Sequence, residues 1–225
     1  MTYVSVTGPR RGGTAAWLAI RRAFSRFGVR ARRIVPGKVS RIGRALVIAG
    51  GKHVHPSLFD EHPIHRGALY DPPRDVLEVA AFKSMSERGG RTLGICRGLQ
   101  LAVVARGGTL HQNVWEATGR KPPRRTMFAR REIRIAPDSK LYELVGADAM
   151  RVNCLHSQGI RKLPVGWRAV AWDRDDIIQA VEGPGFLGVQ WHPEYLPRMA
   201  AHQRLFHWVA RGLHTPTVRD TPASC

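Results

Sequence analysis

The sequence predicts an α/β protein, a three-layer sandwich with a mostly parallel central sheet and helices on both faces. Short apolar runs alternate with segments of helical spacing through the first half of the 225 residues, a pattern typical of parallel sheets. One apolar run also leads through the residues G-I-C-R-G, around Cys96, directly into a helical segment. That order of strand, tight turn and helix is typical of a nucleophile elbow, which holds one side chain above the end of a sheet.

The composition predicts a globular chain with a sizeable core. Apolar residues make up 43% of the chain and aromatic residues 8%, more than a disordered protein carries. No apolar run approaches the roughly 18 residues of a membrane span, and the N-terminus lacks the apolar stretch of a signal peptide. Because no linker or internal repeat divides the sequence, we predict a single domain over residues 1–212 and a frayed tail over 213–225.

The first half is predicted to contain four strands and two helices. Thr14 can cap the first helix. Its predicted inner face consists of four apolar residues, Trp17, Leu18, Phe24 and Phe27. The second helix covers residues 73–87, and residues 52–72, rich in proline and histidine, form a long loop of the kind that is often functional. The predicted strands are residues 3–6, 29–35, 45–49 and 92–95.

The second half is predicted to be richer in strands. Pro122 and Pro123, with their basic neighbours, mark a surface loop. A closing helix covers residues 198–211. The predicted strands are residues 131–135, 150–153, 167–172, 177–182 and 186–191.

Cys96 is the strongest candidate for a nucleophile. Gly94 and Gly98 flank it at positions where neighbouring backbone must approach closely. At the N-terminus of a helix the helix dipole favours a thiolate over a thiol. The alternative, a structural cysteine of the core, is disfavoured by the two glycines and by the junction of strand and helix.

The residues G-V-Q-W-H-P-E supply a base and a group to orient it. His192 follows a predicted strand, and Glu194, beyond the stiff Pro193, can hold the far nitrogen of its imidazole. His-Pro-Glu alone is a weak signal in a chain with ten histidines. Together with the elbow it predicts a catalytic triad of Cys96, His192 and Glu194.

An oxyanion hole is predicted at a Gly-Gly turn. Attack by a thiolate puts negative charge on the carbonyl oxygen of the substrate, and backbone N–H groups must face that charge. Gly51, at the end of a predicted strand, supplies one N–H group, and Arg97, directly after the nucleophile, supplies the other. Gly-Gly after a strand is an ordinary turn by itself, so this assignment depends on the elbow.

Four motifs, in the same order, resemble the class I glutamine amidotransferase-like superfamily, whose fold is flavodoxin-like. They are A-G-G-x-x-V-x-P-S-L-F, G-I-C-R-G-L-Q with G-G-T-L-H-Q after it, V-N-C-L-H-S-Q and G-V-Q-W-H-P-E. Within the superfamily the sequence is most similar to the gamma-glutamyl-gamma-aminobutyrate hydrolases of peptidase family C26. The resemblance covers most of the chain, from Thr7 to about Glu194.

The resemblance implies an enzyme that hydrolyses γ-glutamyl amides through the predicted triad. It also implies that Gln100, His156 and Gln158 lie around the γ-glutamyl group as substrate-binding residues. No metal and no organic cofactor is expected in such a family.

The sequence departs from the family pattern at three points. Relatives usually carry Asp where this chain has His53, flanked by Lys52 and His55. Cys154 and Ser157 replace the Ser and the second His of V-N-S-x-H-H-Q, and the net charge is +19. Since Lys52 and His53 follow the predicted oxyanion turn, we expect a preference for γ-glutamyl conjugates whose far end is neutral or acidic. The alternative is that position 53 only caps a turn.

Other polar residues receive structural interpretations. Cys154 is predicted to pack near the site without reacting, and Trp191 to line the pocket. Asp75 and Glu78 share a helix with Arg74 and are expected either to pair at the surface or to support the site. The histidines of the 52–72 loop are irregularly spaced and lack accompanying carboxylates, so no metal site is predicted.

The strong positive charge leaves a nucleic-acid partner open without favouring it. Lys and Arg number 36 against 17 Asp and Glu, and 30 of the 36 are Arg. The cations are spread along the chain, and no zinc-finger, RNA-recognition or basic-zipper signature accompanies them. A solvated basic surface is the favoured interpretation. Salt-dependent binding of DNA or RNA would indicate the other.

Two enzymatic functions remain open at this point. The first is a stand-alone hydrolase of a γ-glutamyl amide or glutamine, and the second is a glutaminase subunit that delivers ammonia to a separate synthase. Three scattered cysteines are too few for a disulfide framework, so a reducing, cytoplasmic compartment is expected, with no membrane partner.

Overall fold

The computed structural model describes residues 2–38, 41–65 and 67–214. Within these residues the six α-helices are Thr14–Ser25 (α1), Pro72–Glu87 (α2), Arg97–Ala105 (α3), Val114–Ala117 (α4), Lys140–Val145 (α5) and Ala200–Arg211 (α6). The strands are Val4–Thr7 (β1), Ala31–Ile34 (β2), Ala45–Ile48 (β3), Arg91–Ile95 (β4), Thr109–His111 (β5), Thr126–Ile135 (β6), Ala149–Cys154 (β7), Gly159–Lys162 (β8), Arg168–Asp173 (β9), Ile178–Gly183 (β10) and Phe186–Val189 (β11).

Nine of these strands form one sheet in the order β2-β1-β3-β4-β11-β10-β9-β6-β7, and β5 pairs with β8 apart from it. The pairings from β2 to β11 are parallel. The pairings from β11 to β7 are antiparallel. The predicted α/β class is confirmed, and the sheet is mixed rather than parallel throughout.

Helices cover both faces of the sheet, as the three-layer prediction requires. Successive side chains of a strand point to opposite faces, so Val47 packs in the cluster that contains Phe24 of α1 and Phe206 of α6. Ile48 packs on the other face with Phe82 of α2 and with α3. The four residues of β3 are fully buried, as expected for a central strand covered on both sides.

The buried face of α1 differs from the prediction. Ile20, Ala23 and Phe24 are buried, whereas Leu18 is 45% exposed and Phe27 is 37% exposed. The buried positions follow the three- and four-residue spacing of a helix, and Leu18 lies outside that stripe. Trp17 packs partly buried against the core.

Several elements extend or add to those predicted. Strand β6 begins five residues before the predicted start, and β5, β8, α4 and α5 were not predicted. The 52–72 loop contains a 3-10 turn, Pro56–Phe59, and a bridge between His53 and Tyr70. Leu213, which was assigned to the tail, is buried in the core; residues 215–225 lie outside the described residues. No helix in the described ranges is long and apolar enough to cross a bilayer.

Candidate active site

Cys96 occupies a sharp elbow between β4 and α3. Its backbone has φ 50° and ψ −107°, a strained conformation for a residue with a side chain. A Cβ on Gly98 would lie 1.9 Å from the Ile48 carbonyl oxygen, and one on Gly94 would lie 2.7 Å from the Leu99 nitrogen. Both glycines are therefore required for the turn, and the predicted elbow geometry is present.

His192 and Glu194 lie just beyond the end of β11 and contact each other. His192 Nδ1 lies 2.8 Å from Glu194 Oε1, and both side chains are buried. Burial by itself would lower the pKa of His192, but the opposite charges of Glu194 and of a Cys96 thiolate raise it well above its ordinary value. The structure thus brings the three residues of the predicted triad together.

The Gly50-Gly51 turn lies against both the imidazole and a buried arginine. A Cβ on Gly50 would lie 2.5 Å from His192 Cε1, and one on Gly51 would lie 2.3 Å from Arg74 Nη1. Arg74 Nη2 donates hydrogen bonds to the carbonyl oxygens of Ala49 (2.6 Å) and Gly50 (3.1 Å). The backbone of the predicted oxyanion turn is therefore held from behind by a guanidinium.

A buried ion cluster joins this turn to the elbow. Arg74 Nε donates to Glu78 Oε1 at 2.6 Å, and the Arg97 guanidinium binds Glu78 and Asp75. Thr7 Oγ1 also donates to Glu78, at 2.6 Å. The expectation of surface pairing for Asp75 and Glu78 is wrong, since both are buried. Two cations and two anions balance each other here, which satisfies the condition for burying charge.

A cavity of about 350 Å³ opens on Cys96. The predicted site residues Gly51, Arg97, Gln100, His156 and Gln158 all line it. Its other lining residues are Lys52, His53, Gly67, Leu69, Arg125, Leu155 and Ser157. The cavity therefore carries cations and neutral polar groups, with no carboxylate among these residues.

The three residues assigned to the γ-glutamyl group make different contacts. The Gln158 amide exchanges hydrogen bonds with the backbone of Val54, accepting from its N–H (2.8 Å) and donating to its C=O (3.0 Å). The Gln100 Nε2 group donates to the Gln158 C=O and to Gln190 Oε1. These contacts fasten the cavity wall.

His156 presents a free acceptor. Its Nδ1 lies 3.0 Å from the Gln158 carbonyl oxygen and therefore carries the proton. Its Nε2 is buried and has no partner in the described part of the chain. Burial lowers the pKa of His156 to about 4, so the ring stays neutral and can accept a hydrogen bond from a ligand.

Two residues near the triad escaped sequence reasoning. Gln190 Nε2 lies 3.6 Å from Cys96 Sγ. Asn153 Oδ1 accepts from the His192 N–H at 2.8 Å, and its Nδ2 donates to the His192 C=O at 2.9 Å. Both residues belong to the motifs G-V-Q-W-H-P-E and V-N-C-L-H-S-Q, which were the available signal.

Trp191 and Cys154 lie away from the cavity lining. Because alternate residues point to opposite sides of an extended segment, Gln190 and His192 face Cys96 while Trp191 is buried in the core. The prediction that Trp191 lines the pocket is therefore wrong. Burial raises the pKa of the Cys154 thiol to about 11, in line with the expected unreactive packing. In the described part of the chain, no three His, Cys, Asp or Glu side chains are grouped so as to hold a metal ion.

A second cavity, of about 780 Å³, adjoins the first at Gly51 and Lys52. Arg10 and Arg11 line it together with Lys52, and Asp71 is the one carboxylate among its described lining residues. Gly50, which abuts the His192 ring, also lines this cavity. It is therefore a basic cleft next to the imidazole.

A family model, peptidase C26, matches residues 37–194. The matched range includes the elbow, the Gly50-Gly51 turn and both His192 and Glu194. The chain belongs to the peptidase C26 family.

Relatives of this peptidase C26 chain carry glutamine amidotransferase and γ-glutamyl hydrolase names. "Putative glutamine amidotransferase Rv2859c" of Mycobacterium tuberculosis is 39% identical over 155 residues, 67% of this chain and 50% of that protein. Protein NtpR of Enterococcus hirae is 32% identical over 158 residues, 66% of each. Gamma-glutamyl-gamma-aminobutyrate hydrolase PuuD of Escherichia coli is 34% identical over 155 residues, 64% of this chain and 60% of that one. The chain spans about half to two thirds of the length of these curated relatives.

Solved structures confirm the peptidase C26 chain as glutamine amidotransferase-like in fold. A glutamine amidotransferase of Thermotoga maritima superposes with a TM-score of 0.65 at 15% identity, over 96% of this chain and 100% of that one. One of Methylobacillus flagellatus gives 0.65 at 14% identity, over 95% of each.

Proposed function

We propose that this protein hydrolyses a γ-glutamyl amide through a thioester on Cys96. The observation that carries the proposal is the buried contact of Cys96, at a strained elbow, with an imidazole that Glu194 holds by its far nitrogen. His192 takes the proton of the thiol, and the thiolate attacks the amide carbonyl. The N–H groups of Gly51 and Arg97 face the resulting oxyanion.

Collapse of this intermediate breaks the carbon–nitrogen bond, and His192 returns its proton to the departing amine. A water molecule, losing a proton to His192, then attacks the thioester, the carbon–sulfur bond breaks and glutamate leaves. Glu194 keeps the imidazole oriented and stabilises its cationic form throughout.

The two cavities suit the two parts of such a substrate. The γ-glutamyl group occupies the smaller one, against Gln100 and the free acceptor of His156. The departing amine extends from His192 into the basic cleft along Lys52, Arg10 and Arg11. This charge supports an amine whose far end is neutral or acidic. The name of the relative gamma-glutamyl-gamma-aminobutyrate hydrolase describes an amine part that carries a carboxylate.

A glutaminase subunit that passes ammonia to a synthase is the second candidate. Met127 is 53% exposed and Phe128 is 70% exposed, and they line a surface cavity with Tyr195, which stacks on His192. Apolar side chains exposed beside the site suit a docking partner. Under this function glutamine alone would be hydrolysed, and only after a partner binds.

The test is a hydrolysis screen of glutamine and a panel of γ-glutamyl amines, following glutamate release with and without cell extract. We expect the isolated protein to hydrolyse one or more γ-glutamyl amines. Cys96→Ser should abolish turnover in a folded protein, whereas Cys154→Ser, which alters the other buried cysteine, should retain it. Retention of a tenth of the wild-type activity by Cys96→Ser would contradict the thioester mechanism.

The triad is tested by a double-mutant cycle. His192→Ala should be nearly as damaging as Cys96→Ser, and the double variant little worse, because the residues of a triad act as a unit. Additive losses would contradict the assignment.

A further inference from the structure

We propose that Gln190 is a further catalytic residue, whose side-chain amide donates a hydrogen bond to the Cys96 thiolate, and that Gln100 is the positioning residue that orients this amide. Gln190 Nε2 lies 3.6 Å from Cys96 Sγ. Gln190 is fully buried and Gln100 is 2% exposed. The proposal rests on the proposed role of Cys96 as the nucleophile and assigns a contact to the reacting sulfur that the triad does not supply.

The orientation of the Gln190 amide follows from hydrogen bonds that begin at a main-chain carbonyl. The Gln158 C=O can only accept, so the amide end of Gln100 that lies 2.8 Å from it is the nitrogen. The same nitrogen lies 3.0 Å from the Gln190 amide, which must present its oxygen there. The other end of that amide, the NH₂ group, therefore faces Cys96.

The backbone around Gln190 gives the amide little freedom. Its N–H donates to the Gln179 C=O at 2.8 Å, continuing the pairing of β10 with β11. Cys96 N–H donates to the Val189 C=O at 2.7 Å, which fixes the two main chains beside each other. The donor and the sulfur are thus held by neighbouring strands rather than by a loop.

A donor at this position acts on the charged form of the sulfur. Hydrogen bonds to an ionised acceptor are about twice as strong as those between neutral groups. The thiolate forms when His192 takes the proton, and it forms again when the carbon–sulfur bond of the thioester breaks and the electron pair returns to Sγ. Gln190 stabilises both states, while His192 supplies the cation on the other side.

The test measures the thiolate of Cys96 without any substrate. The rate of alkylation by iodoacetamide is recorded against pH in the full-length protein, and peptide mass spectrometry reads Cys96 separately from Cys154 and Cys225. Gln190→Leu removes the donor. Gln100→Glu cannot donate to the Gln158 C=O, and so releases the Gln190 amide from its fixed orientation. Circular dichroism and thermal unfolding establish that each variant is folded.

Both variants should raise the pH midpoint of Cys96 alkylation by about one unit, which corresponds to a roughly tenfold slower reaction below the midpoint. The matched control is Gln179→Leu, which removes another buried amide, one that donates to Asp173 Oδ2 at 2.8 Å. It should leave the midpoint unchanged. A midpoint equal to wild type in folded Gln190→Leu, or in folded Gln100→Glu should Gln190→Leu not fold, would overturn the proposal.

No γ-glutamyl amide enters this experiment. Failure of the hydrolysis screen would therefore contradict the proposed function without altering the outcome expected here.

Discussion

The side-chain amide of Asn153 hydrogen-bonds both main-chain groups of His192, accepting from its N–H at 2.8 Å and donating to its C=O at 2.9 Å. Strand β11 ends at Val189, three residues before His192, so regular sheet pairing does not hold the backbone of the proposed base. The last strand of the sheet, β7, holds it instead through Asn153. The position of the imidazole thus depends on a residue 39 positions away in the sequence.

Asn153→Ala should lower kcat about tenfold or more while changing KM little, because the imidazole loses its fixed position and the cavity lining stays intact. Asn153→Asp, which keeps the acceptor and loses the donor, should be less damaging. Steady-state kinetics on the substrate found in the screen provide the measurement. A change confined to KM would argue against a role in holding His192.

Glu194→Gln should move the alkaline limb of the kcat/KM profile to lower pH. Glu194 and the Cys96 thiolate raise the pKa of His192 against the effect of burial, so the imidazolium of the ion pair persists to high pH. Without the Glu194 charge the imidazolium loses its proton at lower pH. The measurement is a pH–rate profile of both proteins. An alkaline limb at the wild-type position, with wild-type rates, would remove Glu194 from the proposed triad.

Glu78→Gln should destabilise the protein by about 3 kcal/mol or more, since it leaves two buried guanidinium groups with one carboxylate. The matched control is Glu143→Gln, which alters a glutamate paired with Lys140 at the surface. That change should cost less than about 1 kcal/mol because water screens exposed pairs. Urea denaturation measures both. Equal losses would mean that the buried cluster adds no stability beyond that of a surface pair.

Lys52, rather than His53, should carry the selectivity against cationic amines. His53 Nε2 lies 2.8 Å from Ser157 Oγ, and burial and the charge of Arg125 lower its pKa, so it stays neutral. Lys52 lines both cavities. Wild type should prefer a γ-glutamyl amino acid over a γ-glutamyl diamine, and Lys52→Ala should reduce this kcat/KM ratio several-fold.

The control for Lys52→Ala is His53→Gln, which should leave the ratio unchanged. A wild-type preference for the diamine would contradict the expectation from charge. An unchanged ratio in Lys52→Ala would assign the selectivity to other residues of the cleft.

His202 should make the protein less stable as the pH falls from about 6.5 to about 4. It is buried and neutral, accepting from Trp191 Nε1–H and donating to the Arg151 C=O, and burial lowers its pKa to about 4. The unfolded chain takes up this proton near pH 6.5, so protons favour unfolding throughout that window. The loss is on the order of 3 kcal/mol.

Urea denaturation at several pH values measures the effect. His202→Gln should be less stable at pH 7 and should show a shallower decline down to pH 4. A decline as steep as in wild type would assign it to other groups, His156 among them.

The sequence determined the elbow because its requirements are local. A strand, a glycine-flanked cysteine and a helix follow one another within about ten residues, and both glycines are needed where the Ile48 and Leu99 backbones approach. His192 and Glu194, two residues apart, are equally local, and their contact follows from the stiff segment between them. The alternation of strands and helices predicted the layers for the same reason.

Contacts between distant segments were decided by the tertiary structure. Glu78 reads as a surface residue on a charged helix, yet the fold buries it because β1, α2 and α3 bring Thr7, Arg74 and Arg97 around it. Apolar periodicity carries no information about which charges meet across a sheet. For the same reason the antiparallel half of the sheet and the pairing of β5 with β8 were not predicted.

The sequence by itself determined which residues carry chemistry, Cys96, His192 and Glu194, since spacing along the chain fixes their local geometry. Only the tertiary structure decided what holds them. Asn153 reaches His192, and Gln100 orients Gln190 toward Cys96, across 39 to 94 residues of sequence. Such contacts depend on strand order and register, which are set by packing of the whole core rather than by any local segment.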